Sequence, residues 1–198
     1  MSRDFGGRSQ SKTFLVLTEG ESEVEYFNRF KGRDRHVAIV PIVAKRHDSK
    51  NLVTYCVNKA NERGIDYKNG DKVAIVIDVD EKTAPELKEI ENQCAENGMD
   101  LYLSNRSFES WLILHFCELT KPSTQEELEC ILSTHLKHRY VKSEGINKNI
   151  YESNVMSAID RAEKMISNEH KRNELCGTLD PSTTVHFLVE RIQSMTES

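Results

Sequence analysis

Four runs of apolar residues with no polar face mark the first half of the chain. They are Thr13-Phe14-Leu15-Val16-Leu17, Val37-Ala38-Ile39-Val40-Pro41-Ile42-Val43, Lys72-Val73-Ala74-Ile75-Val76-Ile77-Asp78 and Asp100-Leu101-Tyr102-Leu103-Ser104. Short continuous apolar runs of this kind read as strands covered on both faces. Helical patterns lie between them. Ser22 with Glu25 reads as a capping box opening a helix whose apolar side is Val24, Tyr26, Phe27 and Phe30. Asp48 or Ser49 caps a helix over residues 52–63, closed by Gly64, and Thr83 with Glu86 opens another that ends near Gly98. Strands alternating with helices of about 10 to 15 residues predict a parallel, doubly wound sheet. Pro41 cannot donate to a ladder, which argues that the second strand lies at an edge or is irregular.

After Asn105 the alternation stops. Residues 108–116 form a dense apolar helix, and residues 123–137 another, with Ser123-Thr124-Gln125-Glu126 as its capping box. A polar, basic stretch over residues 135–149 precedes a long amphipathic helix over residues 152–171, and Ser182-Thr183-Thr184 caps a last helix through Met195. The expected organisation is a disordered Gly/Ser/Arg-rich arm over residues 1–11, an α/β core over residues 12–105, and a helical extension over residues 106–198 packed on the same core. The fold class is α/β, with four to five mostly parallel strands flanked by helices.

At 198 residues, one core of ordinary size is the default. No stretch of about 18 uncharged apolar residues occurs and the N-terminal segment lacks the apolar centre of a signal peptide, so a soluble, cytoplasmic protein is expected. The five cysteines are odd in number, far apart and without a C-x-x-C pair, which argues against a disulfide framework and a zinc site. A net charge of -5 gives no overall electrostatic footprint for nucleic acid, so any such contact is local or metal-mediated.

Two acidic clusters follow directly on apolar runs: Glu19-Gly20-Glu21-Ser22-Glu23 and Asp78-Val79-Asp80-Glu81. Open α/β sheets bind ligands outside the carboxyl ends of their strands. Carboxylates there can be helix caps that meet the helix dipole, which accounts for Glu21, Glu23 and Glu81. It accounts poorly for Asp78 and Asp80, because residues i and i+2 of a strand project from one side and paired carboxylates repel without a cation. An all-oxygen donor set selects Mg2+ or Mn2+. The candidate ligands are Glu19, Asp78 and Asp80, with Glu23 and Glu109 as further members. Glu109 opens the helix after the fourth strand and reads equally as a ligand, a substrate-positioning group or a first-turn partner of the dipole. His115, Trp111 and Phe116 read as core.

Lys45, Arg46, His47 and Lys50 form a basic cluster after the second strand, where a phosphate backbone would need a clamp or a loop is simply solvated. Arg106, three residues before Glu109, is a further candidate contact to nucleic acid. Lys137, His138, Arg139, Lys142 and Lys148, with Tyr140 interleaved, form a second stretch suited to single-stranded nucleic acid or to a partner surface.

Leu17-Thr18-Glu19-Gly20-Glu21 followed by Val76-Ile77-Asp78-Val79-Asp80 resembles the Toprim domain shared by topoisomerases, primases and OLD-type nucleases. Four blocks in order resemble the RloB-like family more closely: residues 16–23, Asp78-Val79-Asp80-Glu81, residues 104–116, and Asp180-Pro181-Ser182-Thr183-Thr184-Val185-His186. The resemblance spans nearly the whole chain. It implies a Toprim-like sheet, a divalent metal at Glu19, Asp78 and Asp80, phosphodiester chemistry on DNA or RNA, and a setting in phage defence beside an ATPase. Related Toprim enzymes that make transient DNA links use a tyrosine from another domain; none fits here, and water is the expected nucleophile. Glu19 would ligate metal or act as general base or acid. The leading reading is thus a metal-dependent nuclease with Glu19, Asp78 and Asp80 as catalytic residues. The other class is a non-catalytic module that binds metal or nucleotide and regulates an ATPase. Either leaves a homo-oligomer open.

Overall fold

The structure is a computed structural model that describes residues 11–32, 36–44, 49–80, 82–144 and 148–196. Residues 1–10 of the expected arm, Lys45, Arg46, His47, Asp48 and Glu81 lie outside the described residues, and so does the side chain of Lys50. Five strands form one sheet in the order β2-β1-β3-β4-β5. They are β1 (Lys12–Thr18), β2 (Val37–Val43), β3 (Lys72–Asp78), β4 (Asp100–Asn105) and β5 (Ser182–Thr183). The first four are parallel, and β5 runs antiparallel to β4. The described helices are α1 (Glu21–Phe27), α2 (Ser49–Glu62), α3 (Ala84–Glu96), α4 (Phe108–Ile113), α5 (Gln125–Leu136), α6 (Lys148–Met165), α7 (Arg172–Cys176) and α8 (Val185–Thr196).

Strand parity sorts the apolar runs into two cores. Phe14, Val16, Ala74, Val76 and Tyr102 face one side with the aromatic residues of α1 and α4 and the apolar sides of α5, α6 and α8. Leu15, Leu17, Val73, Ile75, Ile77, Leu101 and Leu103 face the other, against α2, α3 and Cys176 of α7. Both faces are covered, which is why these strands lack polar alternation. Of the two alternatives that Pro41 left, the edge position holds: β2 ends the sheet. On the first face Tyr26 meets Phe108 edge-on at 5.5 Å and Trp111 at 6.1 Å. Such pairs add about 0.5–1.5 kcal/mol each beyond burial and lock α1 against α4. His115 is buried in this core, its Nε2 3.3 Å from the Tyr26 hydroxyl and its Nδ1 3.2 Å from the Trp111 carbonyl; burial pushes its pKa down to about 4. Trp111 is fully buried and Phe116 packs partly against the core.

Several local expectations are corrected. Helix α1 begins one residue before Ser22, with Gly20 as N-cap and no side-chain cap, so Ser22 is a buried helical residue instead of a cap. Helix α4 ends at Ile113 and tightens into turns bonded His115 N–H to Leu112 O and Phe116 N–H to Ile113 O, while the Arg161 guanidinium takes the Leu114 carbonyl. The capping box of α5 is Thr124 with Glu127, one residue later than expected. The long C-terminal helix stops at Met165, and the chain resumes as a short 3-10 turn and α7. Ser182 and Thr183 serve the sheet first: Thr183 Oγ1 lies 2.9 Å from Ser104 Oγ while also accepting from the Val185 N–H that opens α8. All five cysteines are free thiols.

Candidate functional site

Chain order around β1 decides where the cleft opens. The chain moves from β1 to β2 on one side and then returns past β1 to β3 on the other, so its direction of winding reverses between β1 and β3. Crevices at such switch points are where doubly wound sheets hold ligands. An open cleft of about 340 Å3 lies there, lined by Glu19 to Glu23, by Asp78, Asp80 and Lys82, by Phe108 and Glu109, and by Lys142. Three βα junctions and the α5–α6 connection therefore meet at one place.

Each acid has its own environment. Glu19 follows β1; its Oε2 accepts the Asp78 N–H at 2.8 Å and its Oε1 lies 3.2 Å from the Lys82 ammonium. Asp78 ends β3 with the parity of Ala74 and Val76, which turns it toward the face carrying α1 and α4. Asp80 is not in the strand. Its φ of 42° bends the chain away after Asp78 and its side chain is exposed, so the two aspartates are set by a turn and not by strand alternation. Glu23 and Glu109 are nearly inaccessible, at 3 and 2 % exposure. Glu21 is exposed in the first turn of α1.

Glu109 is more than a first-turn acid. Its Oε2 accepts from Ser107 Oγ at 2.7 Å and its Oε1 from the Tyr140 hydroxyl at 3.1 Å, with the Lys142 ammonium 3.7 Å away. Burial first, and the Glu109 charge next, push the Tyr140 phenol up, which keeps it a proton donor. Tyr140 is buried and is thus no stacking platform for bases, whereas Arg139 and Arg106 are exposed. The backbone carbonyl of Arg106 accepts the Asp80 N–H at 3.2 Å, which places Arg106 at the rim.

Burial raises Glu23 to about 7, with further contributions from the Glu109 and Glu19 charges. Asp78 is held well above the usual carboxylate range by burial and then by Glu23, Glu109 and Glu19. Two carboxyls that resist ionisation, Glu23 and Asp78, in a cleft lined by further acids have the electrostatics of a cation site. The donors are all oxygen, which fits a hard divalent ion. Among the described residues no three His, Cys, Asp or Glu side chains already stand in a metal-holding arrangement. The Glu19 carboxylate is engaged with Lys82 and the Asp78 peptide. A metal would fit these residues once Glu19 turned from the ammonium.

Lys45 and Arg46 fall outside the described residues, and the site gains three groups that sequence reasoning passed over: Lys82, Ser107 and Tyr140 in its bonding role. Lys82 had a signal, since a lysine four residues past Asp78 can neutralise clustered acids. Tyr140 had none, because 31 residues separate it from Glu109. In α8, His186 is buried with Nε2 3.0 Å from the Ile166 carbonyl, and Arg191 pairs with Asp100 at the start of β4 at 2.7 Å.

Among the described residues no helix is long and apolar enough to cross a membrane. Comparison with curated proteins finds no match, and comparison with solved structures finds none. The family model described as RloB-like protein matches residues 14–192, from the first strand through the last helix. That span holds every acid of the cleft, and the chain belongs to the RloB-like protein family.

Proposed function

We propose that this protein is a divalent-metal-dependent phosphodiesterase acting on DNA or RNA in antiviral defence, with water as the nucleophile and Mg2+ or Mn2+ held by Glu19, Asp78 and Asp80. The observation that carries the reading is the convergence of Glu19, Glu23, Asp78, Asp80 and Glu109 from separate βα junctions into one cleft at the winding reversal of the sheet. A bound divalent ion there supplies a polarised phosphate and an acidified water. Glu19, Asp78 and Asp80 provide the oxygen donors. Glu23, raised to about 7, has the acidity of a group that exchanges a proton near neutral pH. Glu109 is oriented by hydrogen bonds from Ser107 and Tyr140 and lines the same cleft. Lys142 and Arg106 at the rim, with Arg139 beside Tyr140, offer positions for phosphate contacts, and Lys45, Arg46 and Lys50 are proposed for the same role from sequence alone. The Toprim-like relationship and an ATPase partner belong to this same reading. The second reading, a non-catalytic regulatory module, is favoured by the Glu19–Lys82 ion pair, which compensates the Glu19 carboxylate without a metal.

The test is cleavage of end-labelled single-stranded and duplex DNA and of RNA by the purified protein with Mg2+ or Mn2+, with and without a candidate ATPase. Glu19→Gln is expected to lower metal-dependent cleavage at least about a hundredfold, and exposed Glu21→Gln less than about threefold. Equal losses would show that the two carboxylates are wrongly ranked, and no cleavage of any substrate would favour the module.

Gly20 offers a finer probe. A Cβ at this position would stand 2.8 Å from Glu23 Oε2, the movable end of a side chain. Gly20→Ala is therefore expected to leave the fold within about 1 kcal/mol of wild type while displacing the Glu23 carboxylate. Mn2+ affinity, read by calorimetry, should fall several-fold; an unchanged affinity would exclude Glu23 from the metal's surroundings.

A further inference from the structure

The turn after β3 carries a cation of its own into the cleft. Lys82 N–H donates to the Val79 carbonyl at 2.8 Å, and with Asp80 at φ 42° this closes a tight turn that folds the lysine back over the strand end. Its Nζ donates to the Asp78 carbonyl oxygen at 2.8 Å and lies 3.2 Å from Glu19 Oε1. Glu19 in turn accepts the Asp78 N–H through its other oxygen. Glu19, Lys82 and the Asp78 peptide thus form a closed ring across β1 and β3. Both side chains of the pair are largely withdrawn from solvent, at 18 and 16 % exposure, so the pair is screened less than a surface ion pair.

We infer that Lys82 is the resident counter-ion of the metal-free cleft, holding Glu19 in readiness and leaving it when a divalent ion arrives, so that Lys82 sets the metal affinity of the site. The inference rests on the metal reading above. Six carboxylates and two ammonium groups line the cleft, and of the two, Lys82 is the one in contact with a proposed metal ligand that two strands position. A Mg2+ ion held by Glu19 would draw on the carboxylate oxygen that now meets the ammonium. An ammonium 3.2 Å from the same oxygen would then face it at close range with like charge, so the two cations exclude one another on Glu19. Removing the ammonium frees the Glu19 carboxylate, and that release is what raises divalent affinity. Lys82 acts through Glu19 and is a positioning residue.

The test is calorimetric titration of Mn2+ into the full chain as wild type, Lys82→Met, Lys82→Arg, Glu19→Gln and the Glu19→Gln, Lys82→Met double variant. Lys82→Met is expected to bind Mn2+ about tenfold more tightly, about 1.4 kcal/mol. Lys82→Arg keeps the charge and should stay within about threefold of wild type. In the Glu19→Gln background, loss of Lys82 should change affinity less than about twofold, because the shared partner is gone. Unchanged or weaker binding by Lys82→Met beside a wild type that binds would overturn the inference and leave Lys82 a structural residue. A tenfold gain that persists in the Glu19→Gln background would also overturn it, since the lysine would then act through the general field. No Mn2+ binding by any of the five proteins would overturn the metal reading itself, and the inference with it.

Discussion

Asp78→Asn is expected to weaken Mn2+ binding at least about a hundredfold, near 2.7 kcal/mol, without lowering the melting temperature of the metal-free protein. Asparagine preserves the shape of the side chain and removes the charge, which is the part a hard cation needs. The stability half follows from the environment. Burial and the charges of Glu23, Glu109 and Glu19 hold the Asp78 pKa well above its ordinary value, so ionisation is harder in the fold than in the unfolded chain. Above the folded pKa that difference costs stability, and a neutral residue escapes the cost. Thermal unfolding at pH 8 in chelator should therefore show Asp78→Asn at or above wild type, while added Mn2+ should raise the wild type alone. A large loss of stability in chelator would mark Asp78 as a structural acid and remove it from the ligand set.

The second large effect concerns Glu23. Its pKa rises from 4.5 to about 7, with burial the main cause and the Glu109 charge the larger of the two neighbouring carboxylate contributions. Between these values the folded protein binds a proton that the unfolded chain has lost, so metal-free stability increases as pH falls from about 7 to 4.5. Above pH 7 the fold carries the ionised group at a cost of about 3 kcal/mol. Glu23→Gln is neutral at every pH. It should be more stable than wild type by about 2–3 kcal/mol in urea unfolding at pH 8, and nearly equal to it at pH 4.5. With saturating Mn2+ the order at pH 8 should reverse, because the ion compensates the wild-type charge. A variant less stable than wild type at pH 8 without metal would mean that the carboxylate is held by favourable bonds, and the cleft would lose its electrostatic argument.

Much of the frame is legible from residue pattern because strand formation here is local and saturated. The runs 37–43 and 72–78 are bounded as the apolar pattern bounds them, and Thr83 with Glu86 closes the capping box that its spacing announces. Boundaries slip where tertiary contacts take a backbone group. Arg161 claims the Leu114 carbonyl and shortens α4, and pairing with β4 draws Ser182 and Thr183 into the sheet. Ser22 matches a capping box in sequence, yet the chain leaves β1 so sharply at Gly20 that the helix has already begun.

The candidate site divides in the same way. Glu19, Asp78 and Asp80 stand out because acids directly after buried strands are costly and strand ends are where such sheets open. Their relation to Lys82, and the encasement of Glu109 by Ser107, Tyr140 and Lys142, arise from turn geometry and from contacts across more than 30 residues, which no local pattern encodes. The sequence by itself determined the two-faced parallel sheet and the acids at its carboxyl end, since hydrophobic period and strand ends are properties of neighbouring residues. Only the tertiary structure decided which acids are buried, which are paired and which cation sits among them, because burial and charge compensation depend on what the fold brings in from elsewhere.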